Sequence, residues 1–203
     1  MKNILTVFLA CIMMLSMSGC SGSSDFPQES VSTHANEVEN TQKDTPKPDS
    51  STTESSFESS LTIGQLNALG SAKLYLSSSA FSHDGLIRQL EFEKYSTEDA
   101  TFAADNCGAD WNEQALKSAK NYLAFSAFSY SGLIKQLEYE GFKTEEATYG
   151  ADNCGADWTE QAAKSANNYL SVSSFSRDRL IDQLEYEGFT YEQAVAGVEA
   201  NGY

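Results

Sequence analysis

Between residues 61 and 203 the apolar residues fall in short blocks at helical spacing, separated by small and polar residues. The middle of this region is the clearest. In "DWNEQALKSAKNYL", Asp110 is placed to accept from first-turn amides and Glu113 follows three residues later, a capping-box pattern. Trp111, Ala115, Ala119 and Tyr122, with Leu123 beside them, then form one stripe, which predicts a helix with that face in the core. "AFSYSGLIKQLEYEG" predicts a second helix, with Ser129 as N-cap, Phe128 packing on Leu133 as a staple, and Leu133, Ile134 and Leu137 as the apolar face. Gly141 ends it. A third helix, "TEEATYGADNCG", places Ala147, Ala151 and Cys154 on one stripe, small enough to let another helix come close, and Gly155 closes it.

The same three-part text is written three times. "LIRQLEFEKY", "LIKQLEYEGF" and "LIDQLEYEGF" start at Leu86, Leu133 and Leu180, and Tyr75, Tyr122 and Tyr169 keep the same step of 47. A period of this length indicates stacked helical units. The fold class is all-α: three tandem repeats of about 47 residues, each a three-helix, helix-turn-helix-like unit, spanning 61–109, 110–156 and 157–203. The copies differ at their edges. The first lacks the Asp-Trp pair and offers Thr62 with Gln65 as a capping box; it also has Lys94 in place of Gly141, which predicts a looser or differently shaped turn there. The last stops at "NGY", and a truncated repeat is expected to cap the array.

Ahead of the repeats the pattern changes twice. Residues 1–19 carry Lys2 and an apolar run from Ile4 to Met17, a secretory leader too short for the roughly 20 residues of a spanning helix. It ends in "MSGC", which resembles a lipobox, so Cys20 is expected to be diacylated and to anchor the mature chain to the extracellular face of the cell membrane. An ordinary signal peptide cleaved nearby is the alternative. Residues 20–60, rich in Ser, Thr and Glu, hold few large apolar residues and predict a disordered tether with a span of roughly 35 Å; His34 lies in it.

Charge narrows the partner. The full chain carries −16, and the 21 acidic and 10 basic side chains of residues 61–203 leave −11 there. Such a module is repelled by lipid headgroups and by phosphates alike, which points away from nucleic acid and toward a protein or a cationic surface. The third helix, with Glu145, Glu146 and Asp152, lacks the Lys and Arg of a DNA-recognition helix.

Candidate chemistry is sparse. Glu138 and Glu140, repeated as Glu185 and Glu187, sit two apart on a helix and do not face each other; they predict a solvated acidic face rather than an acid–base pair. Being near a helix C-terminus, Glu138 or Glu140 is expected to reach the amide-rich start of the third helix. Cys107 and Cys154 are equivalent, and an exported location permits a disulfide, although both lie on the small-residue stripe, where a buried thiol fits, and Asn201 replaces them in the third copy. Two cysteines and His83 do not make a metal ligand set, and the single unrepeated histidine of the repeats supports no hydrolase triad. No catalytic residue, metal or cofactor is expected. Positions that vary among copies are where binding specificity is expected: His83, Asp84 and Gly85, then Tyr130, Ser131 and Gly132, then Arg177, Asp178 and Arg179.

The pattern "A-x-x-Y-L-x-x-x-x-F-S-x-x-x-L-I-x-Q-L-E-x-E-G-F-x-x-E-x-A" followed by "GADW-x-E-Q-A" resembles the Ltp-type host cell surface-exposed lipoprotein repeat of Gram-positive bacteria and their prophages, over about residues 65 to 203. The resemblance implies helix-turn-helix repeats that bind no DNA. It further implies superinfection exclusion, in which a lipoprotein outside the membrane stops an incoming phage from injecting its DNA, with the phage tape-measure protein as target. Against this stands a wall-associated structural or adhesion lipoprotein whose acidic faces meet a surface protein or a wall component.

Overall fold

The structure, a computed structural model, describes residues 61–203. The leader, Cys20 and the tether lie outside the described residues. Among the described residues there are nine α-helices and no strand: α1 (Ile63–Ser78), α2 (His83–Phe92), α3 (Thr97–Asn106), α4 (Trp111–Phe125), α5 (Tyr130–Glu140), α6 (Thr144–Asn153), α7 (Trp158–Val172), α8 (Arg177–Tyr186) and α9 (Tyr191–Glu199). They fall into three units of three, as the period predicts.

Each unit buries its own core. In the second, Ala115 and Ala119 of α4, Leu133 and Leu137 of α5, Ala147 and Ala151 of α6, and Phe142 form one cluster, with Tyr122, Leu123, Phe128 and Ile134 packed on it. Leu133 and Leu137 are fully buried, which stabilises by roughly 1.5–3 kcal/mol each. The first and third helices of a unit meet through small residues. A Cβ on Gly150 would lie 2.8 Å from the Ala115 carbonyl oxygen, and one on Gly197 2.7 Å from the Ala162 carbonyl carbon. In these two units only hydrogen fits at that approach. In the first unit the same position is Ala103, also fully buried.

The expected caps are largely in place. Thr62 and Gln65 form the capping box of α1, and Asp110 accepts from the amides of Asn112 and Glu113. Glu113 departs from the pattern, since its carboxylate accepts from the Tyr149 hydroxyl at 3.2 Å. Two further expectations are overturned. Trp111 leaves the core of its own unit: it packs on the cluster of the first, as Trp158 packs on that of the second. A residue at the very start of a helix projects back over the preceding chain, so its large ring covers the earlier unit. Nor is the Lys94 turn differently shaped. Lys94 takes φ 76° and Gly141 φ 98°, and both turns carry the same pair of backbone bonds, Lys94 to Glu91 and Tyr95 to Leu90, then Gly141 to Glu138 and Phe142 to Leu137. The turn is set by helix termination itself, and lysine accepts the left-handed conformation at roughly 1–2 kcal/mol.

Successive units join end to end through their second helices. The Ser82 hydroxyl, at the N-cap of α2, donates to the carbonyl of Glu140 at the C-terminus of α5 (2.7 Å), while also accepting from the Gly85 amide (2.9 Å). Ser129 does the same with Glu187 (2.6 Å) and Gly132 (2.9 Å). Each joint thus sets the positive end of one helix dipole against the negative end of the next and satisfies a terminal carbonyl. Arg88 adds a second bond to the Glu140 carbonyl (2.7 Å), and Ser131 one to that of Gly188 (3.2 Å). Gly141 and Gly188 are pressed by the preceding unit: a Cβ on Gly141 would sit 3.1 Å from Ser82 Oγ, and one on Gly188 would run into Ser131 Oγ.

Candidate functional site

Inside each unit a polar chain links the first helix to the end of the second. In the second unit Tyr122 Oη donates to Glu140, Ser118 Oγ donates to the same carboxylate at 2.9 Å, and Gln136 Nε2 donates to Tyr122 Oη at 3.1 Å. The third repeats it with Tyr169, Ser165 (2.7 Å), Gln183 (3.1 Å) and Glu187. In the first, Tyr75 donates to Glu93 and accepts from Gln89 (3.2 Å), while Ser71 Oγ instead meets Tyr95 Oη at 3.0 Å. Burial, then the bond to Glu187 and its charge, push the Tyr169 phenol up to about 12, and the same causes with Glu140 raise Tyr122. Both phenols therefore donate throughout the physiological range. The network is structural, joining two helices through a carboxylate that closes a helix end.

This corrects the picture of a uniformly solvated acidic face. Glu140 and Glu187 turn inward to the network, whereas Glu138 accepts from the Thr144 hydroxyl (2.7 Å) and Glu91 from that of Thr97 (2.6 Å). Contact with the start of the third helix is thus made through a side-chain hydroxyl rather than through its amides. Glu185 is exposed, and in its unit Tyr191 stands where the other two have threonine. The network was missed from sequence, although its signal was present: Ser, Tyr, Gln and Glu recur unchanged at these four positions in every copy.

The first two variable tripeptides sit at the joints, and the third occupies the same place in the last unit, where no further unit meets it among the described residues. His83 meets Asp105 (2.8 Å) and Asp84 (3.3 Å) and packs edge-on against Trp111, ring centroids 5.2 Å apart. Tyr130 donates to Asp152 (2.8 Å) and packs on Trp158 at 5.5 Å, and the bond to Asp152 raises its phenol. Arg177 takes this place in the third unit, pairing with Glu199 (3.1 Å) and Asp178 (3.6 Å). Ser131 bonds across the second joint, and Arg179 is exposed. Cys107 and Cys154 are free thiols, each half-buried and donating within its own unit, to Ala104 (3.2 Å) and Ala151 (3.1 Å). Asn201, in their place, donates to Ala163 and Gly197.

These features define the class, a tandem array of three-helix units that offers repeated surfaces. The repeat model of the host cell surface-exposed lipoprotein family matches residues 65–107, 110–154 and 157–199, one match per unit, and the chain belongs to that family. A solved structure described as that of Ltp, a superinfection exclusion protein from the Streptococcus thermophilus temperate phage TP-J34, is 35% identical, the match covering 46% of this chain and 97% of that chain with a TM-score of 0.44. A comparison with curated proteins found no match.

Proposed function

We propose that the chain is a lipid-anchored protein of the outer face of the cell membrane that binds a phage protein, the tape-measure protein being the expected target, and so blocks injection of phage DNA. One observation carries this: all three units match the repeat of a surface-exposed lipoprotein family, so nearly the whole of residues 65–199 is built from that element. An acidic row of like surfaces, held by Cys20 at the end of the tether, suits capture of a long polypeptide better than turnover of a small substrate. Phages plated on cells with and without the gene test it. Normal adsorption with failed DNA entry is expected for at least one phage, whereas unchanged plating across a broad panel refutes it. Cys20→Ser should release the chain from the membrane fraction and abolish exclusion.

A further inference from the structure

Scattered exposed apolar residues are ordinary on any protein surface, but one register here is different. Phe92, Tyr139 and Tyr186 stand at the same place in the three units, near the C-terminal end of the second helix, and are 79%, 71% and 88% exposed. No other position presents a large exposed apolar side chain in all three copies: Leu74 becomes Asn121 and Asn168, Ile63 becomes Asp110 and Asp157, and Ser78, Phe125 and Val172 share only two. The polar neighbour one turn earlier diverges from Arg88 to Lys135 to Asp182. An aromatic ring is therefore kept where the core does not need it and where nearby surface has drifted.

The joints set the spacing. Glu140 bonds Ser82, and Phe92 ends the helix that Ser82 caps, so successive rings step by roughly one helix of ten residues, about 15 Å. Each ring is preceded by a glutamate, Glu91, Glu138 or Glu185, on a region of net charge −11.

We infer that Phe92, Tyr139 and Tyr186 form a docking row for a basic amphipathic polypeptide segment. The rings take its apolar side chains and the stems of its Lys and Arg residues, and the adjacent carboxylates take the charges. Three rings span about 30 Å, which a helical segment of about 20 residues covers. The row deepens the function proposed above and rests on it for the identity of the natural partner, though not for the chemistry of the surface.

The full chain is titrated against a fluorescein-labelled synthetic helix of 20 residues with Leu on one face and Lys on the other, followed by polarisation. F92S/Y139S/Y186S should weaken binding by about tenfold or more, while L74S/F125S/V172S, which removes as much exposed apolar surface elsewhere, should bind like the wild type. Equal binding by wild type and F92S/Y139S/Y186S, equal weakening by both triple variants, or no binding by the wild type overturns the row. Circular dichroism confirms that each variant is folded, as expected for exposed positions. Plating separates the two proposals: a selective peptide result with wild-type cells that exclude no phage removes the phage role and leaves the row, whereas exclusion undiminished in F92S/Y139S/Y186S removes the row as the docking site of the phage partner and leaves the role.

Discussion

Ser129 and Ser176 occupy the same position in successive units, yet Ser129 is 2% exposed and caps its helix, while Ser176 is exposed and its side chain makes no cap bond. What differs is the neighbour. A following unit delivers the Glu187 carbonyl to Ser129, and among the described residues none does so for Ser176. The contrast extends to the residues around the joint. Gly85 and Gly132, beside the capping serines, become Arg179, and Gly141 and Gly188, on the receiving turn, are replaced by Lys94 in the first unit. Glycine stands where two units press together, and a long charged side chain stands where, among the described residues, no other unit meets the corresponding surface.

The strongest way to break the comparison is to move a residue across it. Gly188→Lys should cost roughly 2–4 kcal/mol, because the left-handed backbone penalty adds to overpacking against Ser131, and the denaturation midpoint should fall accordingly. Lys94→Gly, the reverse change on the open side, should raise stability by about 1 kcal/mol in the same measurement. Ser129→Ala should cost about 1–2 kcal/mol, since it loses both the cap and the bond across the joint, whereas Ser176→Ala should stay within about 0.5 kcal/mol.

The polar network gives a pH-dependent test within the units. The folded Tyr169 phenol keeps its proton up to about pH 12, whereas the unfolded one loses it near 10, so the stability this provides is complete below pH 10 and disappears as pH rises toward 12. Absorbance titration of the phenols should show late-ionising groups, with one fewer in Tyr169→Phe while that of Tyr122 persists. The smallest expected effect is weak association: Lys94→Gly with Arg179→Gly gives both open faces the glycines of a joint, and sedimentation velocity should detect end-to-end complexes at high concentration while the wild type shows none.

Much of this was legible in the residues. The step of 47, the stripe of Leu133, Ile134 and Leu137, the alanines of the third helix and the caps at Thr62 and Ser129 all follow from short-range rules, because helical periodicity and end-capping act within a few residues. The errors share a cause. Trp111 fits its own stripe but covers the preceding core, and Glu140 looks solvated but bonds Ser118 and Tyr122, because each is decided by partners about 20 or more residues away. The aromatic register was likewise visible as text, but only burial distinguishes a core ring from an exposed one.

Sequence alone therefore determined that three like helical units exist, which faces they bury, and which family they belong to, since all of this is written in local periodicity and repetition. Tertiary structure decided how the units join, which glutamates turn inward, and why the outermost copies depart from the pattern. A joint between units is a contact between distant segments, and its demands on shape and charge appear only once both sides are in place.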